Sequence, residues 1–338
     1  MRNLLTDLPG LAVGHATDLT LGSGVTAILF DEPATASVSI LGGAPGGRDT
    51  TMLEPEMTVE RVDAIVLSGG SAFGLDAAGG VQASLRAKGR GLRLDAILVP
   101  IVPQAICFDL LNGGDKDWGR FSPYREMGFA AAEAASREEF ALGSVGGGTG
   151  ATTPLIKGGL GSASAETSAG YRVAALTIAN PVGNPLVGRG PHFWAAPFEQ
   201  EGEFGGLGWP ALPFPAEVLD PILKGQTADE EKGEPPTATT IGLIVTDAPL
   251  TKAQAKRLAI AGGDGLARAI HGTHLPFDGD TIFAASIAQG APVTPQVLTL
   301  LCHAAAMVLA RSIARGIYEA TALPYPSAMP AWRDLFSR

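Results

Sequence analysis

Gln226-Thr-Ala-Asp-Glu-Glu-Lys-Gly-Glu-Pro-Pro-Thr-Ala238 runs without a break into Thr239-Thr-Ile-Gly-Leu-Ile-Val245. A charged, proline-containing stretch that no core would bury gives way within one residue to an apolar run of strand length. The junction sets a threonine at the first position of a buried strand, and two readings of it are open. Threonine has high β propensity, so Thr239 and Thr240 serve to start a strand after a flexible loop. Alternatively, scission of the Ala238–Thr239 bond places the Thr239 hydroxyl beside its own α-amine. That amine titrates at roughly pH 7.7–8.0 and supplies the general base a lone threonine lacks.

The residues downstream bear on the choice. Thr246-Asp-Ala-Pro-Leu250 leads into a helix around 251–271 that Thr251 caps, and the chain returns through Asp278-Gly-Asp280 to a strand, Thr281-Ile-Phe-Ala-Ala-Ser286. Two carboxylates one residue apart at a strand entrance can orient a nucleophile and hold an ammonium group. An Asp-Gly turn is equally a common structural object. Asn180 ends the strand-like run Tyr171-Arg-Val-Ala-Ala-Leu-Thr-Ile-Ala179, where a fixed element aims its amide at an oxyanion, although Asn-Pro also makes a turn. Lys157 follows Gly146-Gly-Gly-Thr-Gly150 and precedes Gly158-Gly159. It is either beside a ligand that the backbone approaches closely or a solvated lysine in a turn.

With these segments in view the chain resembles the L-aminopeptidase/D-esterase (DmpA-like) peptidases. These self-processing N-terminal-nucleophile hydrolases include the nylon-oligomer (6-aminohexanoate oligomer) hydrolases and the β-peptidyl aminopeptidases. The likeness rests on Thr239–Leu250 with Asp278-Gly-Asp280, on Leu67-Ser-Gly-Gly-Ser-Ala-Phe-Gly-Leu-Asp-Ala-Ala78, and on Gly146–Gly150 with Lys157-Gly-Gly-Leu-Gly161. Asn180-Pro-Val-Gly183 and Gly10-Leu-Ala-Val-Gly-His-Ala-Thr17 complete it, so that it spans nearly the whole chain.

The resemblance implies an α/β fold, a layered α-β-β-α sandwich of the DmpA/ornithine acetyltransferase type, as a single domain split by autoproteolysis. The larger fragment is then 1–238, ending in a mobile linker over 226–238, and the smaller is 239–338. Thr239 matches the nucleophile, and Asp278 and Asp280 match the polar pair beside it. Asn180 matches the asparagine that stabilises the oxyanion, and Lys157 a lysine near the active site. Two positions depart from the pattern. Ala238 stands where the nylon hydrolases have asparagine, which predicts slow or incomplete cleavage. Phe108 stands at the place of an active-site tyrosine of some members, which removes a hydroxyl donor. The implied activity is hydrolysis, through an acyl-enzyme, of short peptides, amino-acid amides or esters, or nylon-type oligomers, with no cofactor. The family also implies a homo-oligomer, commonly a tetramer of processed protomers. An acetyltransferase of the ornithine type, or an unprocessed binding protein of the same fold, are the alternatives.

Composition fits such an enzyme. Hydrophobic residues make up 46% of 338 and charged residues 17%, which implies an extensive core and excludes disorder. The net charge is −10 with no cluster of Lys and Arg, which argues against nucleic acid or anionic membrane as partners. Met1–Pro9 lacks the apolar core of a signal peptide, and Val297–Ala310 is interrupted by Thr299 and His303, so a cytoplasmic protein is expected. Cys107 and Cys302 suit a reducing compartment.

The coarse reading places strands at Ser23–Phe30, Ala36–Ile40, Ala64–Leu67, Ala96–Pro100, Arg172–Ile178, Thr240–Val245 and Thr281–Ala285. It places helices at Ser71–Lys88, Ala105–Leu111, Tyr124–Ala135, Lys252–Ile270 and Pro295–Ala320, the last capped by Thr294. The aromatic, proline-rich region 186–236 reads as an insertion that packs on the core or on another subunit. Leu67-Ser-Gly-Gly-Ser71 lacks the ending of a phosphate loop, and Gly70–Gly74 is offset from a nucleophile elbow. His271-Gly-Thr-His274 reads as helix-end cations or ordinary loop histidines, and no metal site is assigned.

Overall fold

The computed structural model describes residues 1–225 and 238–336. Its strands are β1 (Leu11–Asp18), β2 (Ser23–Ile40), β3 (Gly47–Arg48), β4 (Arg61–Ser68), β5 (Leu92–Leu94), β6 (Ile97–Val99), β7 (Gln104–Ile106), β8 (Gly159–Glu166), β9 (Arg172–Ala179), β10 (Ile241–Thr246) and β11 (Thr281–Ser286). Its α-helices are α1 (Ser71–Gly74), α2 (Ala77–Ala87), α3 (Tyr124–Glu133), α4 (Lys252–Ala269), α5 (Pro295–Tyr318) and α6 (Trp332–Phe336).

One sheet runs in the order β3-β7-β4-β2-β11-β10-β9-β8, with β1 beside β2, and β5 and β6 form a separate hairpin. The long strand β2 turns this sheet into two layers. Its first half pairs with β1 from Asp18↔Ser23 to Leu11↔Phe30, and its second half pairs with β11 from Thr35↔Ser286 to Ile40↔Thr281. Against β4 its register shifts between Leu29 and Ala34, the irregularity at which the strand changes partners.

Three apolar cores separate four layers. On β2, Ala27 and Leu29 face α2 and α3 in one core, while Ile28 and Phe30 face inward between the sheet layers. On β10 and β11, Leu243 and Phe283 join that inter-sheet core, and Ile244 and Ile282 face α4 and α5 in the third. This is the expected α-β-β-α sandwich. Strands covered on both faces read as near-continuous apolar runs, which is why 241–245 lacks alternation.

The two helices over the second sheet begin where their caps dictate. Thr251 Oγ1 accepts from Gln254 N at 3.1 Å and Gln254 Oε1 accepts from Thr251 N at 3.0 Å, a reciprocal capping box. Thr294 accepts from Val297 N at 3.4 Å, with Pro295 at the first helical position. Helix α5 is long and apolar enough to cross a membrane by those criteria alone, but Leu301, Ala305, Val308 and Ile317 are spent on the core under α4 and β9.

Several sequence expectations are corrected. The strands expected at 23–30 and 36–40 are one strand, 23–40, which passes from β1 to β11 on one side and keeps β4 on the other across the register shift. The helix expected over Ala105–Leu111 is absent. Its start is strand β7, whose Gln104–Ile106 pairs parallel with Val66–Ser68. The helix expected over Ser71–Lys88 is interrupted between Gly74 and Ala77. Strands β1 and β8 were missed, their glycines and small residues giving no strand-like pattern. In the insertion, Phe193 and Phe204 are buried in the core with Trp332 of α6, so it packs on the core in that part. Residues 226–237 of the expected linker lie outside the described residues.

Candidate active site

Strand β10 carries Thr239 and Thr240 at its entrance, and β11 runs parallel to it from Thr281, so the 278–280 turn lies beside Thr239. The peptide between Ala238 and Thr239 is gripped from both strands. Thr239 Oγ1 donates to the Ala238 carbonyl oxygen at 2.6 Å, and the Gly279 amide donates to the same oxygen at 3.1 Å. Thr239 N donates to the Asn180 carbonyl at 2.8 Å. The approach requires glycine at 279, since a Cβ there would stand 2.6 Å from Thr239 Oγ1.

The two aspartates are built into the backbone around this peptide. Asp280 Oδ1 accepts from Thr240 N at 3.0 Å, and its Oδ2 accepts from the His274 amide at 3.0 Å and from the His274 ring Nδ1 at 2.9 Å. Asp278 accepts from Val182 N at 3.2 Å and from Leu275 N at 3.1 Å. Both are 1% exposed. Burial and the neighbouring Asp280 carboxylate push Asp278 up to about 6.

Asn180, whose carbonyl holds Thr239 N, ties that residue to three other segments of the chain. Its Nδ2 donates to the Phe108 carbonyl at 2.9 Å, and its Oδ1 accepts from Thr152 N and from Lys224 Nζ, both at 2.9 Å. The structure therefore brings Thr239, Asp278, Asp280 and Asn180 together. Lys157 stands one step removed. Its Nζ lies within hydrogen-bond distance of three carbonyls, those of Gly148 (3.1 Å), Ala151 (2.6 Å) and Gly158 (2.8 Å). It clasps the segment that ends in Thr152, whose amide holds Asn180. Burial lowers Lys157 to about 7, and Lys224 likewise.

Ala238 and Thr239 open on a cleft of about 400 Å³ walled by the 44–47 loop, Ser71, Ala72, Leu75, Ile106, Phe108 and Phe277. Ser71 reaches it from a strained turn, at φ 51° directly after Gly70 at φ 86°. Three buried groups hold that turn. Tyr124 Oη donates to Ser23 Oγ (2.9 Å), Ser23 Oγ donates to Asp109 Oδ2 (2.6 Å), and Asp109 Oδ1 accepts the Gly70 amide (2.8 Å). Burial raises the Asp109 carboxyl above its ordinary range.

Sequence reasoning missed three participants. His274 read as a loop residue, yet its ring lies on Asp280. Lys224, in the aromatic insertion, reaches Asn180. The Gly279 amide has no side chain to signal it. Only the third was open to inference, from the glycine between the two aspartates. Cys107 and Cys302 are both free.

Residues 3–328 match the family model of Peptidase family S58. A Mycobacterium bovis protein named an uncharacterized aminopeptidase is 38% identical over 357 residues, covering 99% of this chain and 98% of the relative. A 6-aminohexanoate-oligomer endohydrolase of Kocuria sp. is 26% identical over 301 residues, covering 86% of this chain and 76% of the relative. Among solved structures, the L-aminopeptidase D-Ala-esterase/amidase of Ochrobactrum anthropi, described as a variant of the Ntn-hydrolase fold, superposes with TM-score 0.72 at 20% identity, covering 98% of this chain and 91% of that one. A Burkholderia sp. beta-aminopeptidase gives 0.71 at 23%, covering 98% and 91%. At these identities the two solved structures speak for the fold.

Proposed function

The chain belongs to peptidase family S58 and is a hydrolase of amide bonds, and we propose that it gains its activity by cutting its own Ala238–Thr239 bond and then uses Thr239 as an N-terminal nucleophile. One observation carries this reading: the Ala238 carbonyl oxygen is held at 3.1 Å by the Gly279 amide while the Thr239 hydroxyl sits 2.6 Å from it.

In the first step Thr239 Oγ1 attacks the Ala238 carbonyl carbon. The oxyanion that forms is met by the Gly279 amide, and its collapse breaks the C–N bond. The hydroxyl proton ends on Thr239 N, leaving an ester to Oγ1. Water then hydrolyses the ester to an Ala238 carboxylate and a free Thr239. The new amine is held by the Asn180 carbonyl and serves as general base toward its own hydroxyl. An incoming amide takes the place of the Ala238 peptide, acylates Thr239 and releases its amine, and water frees the acid.

In this account Asp278 and Asp280 are positioning groups. Through Thr240, Val182, Leu275 and His274 they fix the two strand entrances between which the carbonyl lies. Asn180 contributes its carbonyl, its side-chain amide being committed to Phe108, and the oxyanion donor is the Gly279 amide. The substrates are short peptides, amino-acid amides or esters, or 6-aminohexanoate oligomers, for which the names of the relatives speak.

A denaturing gel tests the first step. Wild-type protein separates into two fragments, the smaller beginning at Thr239 on N-terminal sequencing, and Thr239→Ala remains one band without amidase activity. A smaller fragment beginning elsewhere would refute the assignment. Parallel assays with amino-acid p-nitroanilides, a 6-aminohexanoate oligomer, and acetylornithine plus glutamate separate hydrolysis from acyl transfer.

A further inference from the structure

Ser71 and Thr239 both line the cleft, and they come to it from opposite sheet layers. Side chains alternate along a strand, so Thr239 shares a face with Ile241 and Leu243, which point into the inter-sheet core. Across the gap, Ser71 follows β4, whose Ile65 and Leu67 fill the same core from the other layer. Ser71 keeps a backbone conformation rare for a residue with a side chain, φ 51°, and its amide donates to the Cys107 carbonyl at 3.0 Å. The fully buried chain of Tyr124, Ser23 and Asp109 holds the turn through the Gly70 amide. Among the described residues the Ser71 hydroxyl has no protein partner. Strain of this kind persists only where the surroundings impose it, and here what it brings to the cleft is a hydroxyl.

We propose that Ser71 is a substrate-binding residue whose hydroxyl holds the free amine of an amine-terminated substrate. An acyl part on Thr239 sets its carbonyl oxygen on the Gly279 amide, on the β11 side, and its remainder extends across the gap toward Ser71. In an amino-acid amide the polar group of that remainder is the α-amine. Among Leu75, Ile106, Phe108 and Phe277 the amine gives up hydration, a loss that a polar partner has to offset. A serine oxygen accepts from an ammonium, and a hydrogen bond to a charged group is stronger than one between neutral groups. This role rests on the Thr239 reading above and deepens it, by naming the group that recognises the amine.

The test compares two ligands that differ only in the amine, alaninamide and propionamide. Their binding is measured by calorimetry at about pH 6.5, where an α-amine with a pKa of roughly 8 is charged. Wild type is expected to favour alaninamide, and Ser71→Ala to reduce that preference by about tenfold or more, the scale of one hydrogen bond to a charged group. In the processed enzyme the same ratio is read from kcat/KM for alanine p-nitroanilide against propionyl p-nitroanilide, with the loss falling on KM. Ser71→Gly removes the same hydroxyl from a turn whose positive φ suits glycine, so it should lose the same preference. A preference unchanged in Ser71→Ala, or kept in Ser71→Gly, refutes the role, as does a wild type that does not favour alaninamide. The gel reports processing separately. An intact chain there refutes the Thr239 reading, and the calorimetric comparison decides the part of Ser71 whether or not the chain is cut.

Discussion

Gly279→Ala is the sharpest test of the carbonyl grip. The backbone of Gly279 lies outside the left-handed region, so alanine meets no conformational penalty there, and the effect comes from where its Cβ falls. It would stand 2.6 Å from Thr239 Oγ1 and 2.8 Å from the Ala44 carbonyl oxygen. Ordinary non-bonded contacts are about 3.5 Å, so the hydroxyl has to retreat by about 1 Å or the 278–280 turn has to withdraw its amide from the Ala238 oxygen. A misplacement of about 1 Å costs on the order of 10²-fold in rate. Loss of one preorganised oxyanion donor costs roughly 3–4 kcal/mol, or about 10²- to 10³-fold. Either route predicts a fall of about two orders of magnitude in both self-cleavage and turnover. Cleavage is followed on gels over time and turnover with a p-nitroanilide. Gly79→Ala is the control, since it lies inside α2 and its Cβ finds no neighbour closer than 3.5 Å. It should raise stability by roughly 0.5–1 kcal/mol through helix propensity and leave rates untouched. Rates within about threefold of wild type for Gly279→Ala would refute the carbonyl grip.

Asp278→Ala and Asp280→Ala should each cut turnover by about 10²-fold with the fold retained by circular dichroism, because the carbonyl between the two strand entrances is then misplaced, and wild-type rates in both would show that its placement does not depend on them. Lys224→Met removes one of the two donors that fix Asn180 Oδ1, so kcat should fall about tenfold with KM unchanged and Lys224→Arg should restore part of it. Unchanged kcat in Lys224→Met would remove Lys224 from the site. Burial holds Lys157 and Lys224 at about 7 in the fold against 10.5 unfolded. Between those values the unfolded chain binds more protons, so both contribute a rise in stability from about pH 7 toward pH 10. Lys157→Met should flatten that rise in a plot of Tm against pH, and an unaltered slope would contradict the buried, neutral lysine.

How far the fold could be read in advance depended on whether a segment's environment was local. Helices α4 and α5 were legible because Thr251 and Thr294 cap them through neighbours three residues on. The β10 and β11 entrances were legible because a polar segment meets an apolar run. Strand β7 was misread because Ala105-Ile-Cys-Phe108 suits a helix as well as a strand. Pairing with β4 and β3, each distant in sequence, settles it. Strand β8, Gly159-Leu-Gly-Ser-Ala-Ser-Ala-Glu166, has small residues because α5 presses on it, where a Cβ at Gly161 would strike the Ser312 carbonyl. A partner more than a hundred residues away thus decides its composition.

The same distinction separates the legible part of the site from the rest. Thr239, Asp278 and Asp280 sit in one local pattern of two strand entrances, so their types and spacing suggest their chemistry. His274 and Lys224 acquire meaning through tertiary contact. His274 is six residues before Asp280 in a loop that folds back on the carboxylate, and Lys224 stands 44 positions from the asparagine it holds. The divergence has a mechanistic consequence. The locally legible residues frame the carbonyl, and the tertiary ones brace that frame. Removing a bracing group should therefore lower kcat while substrate affinity persists. Removing Thr239 should instead end the chemistry in one step.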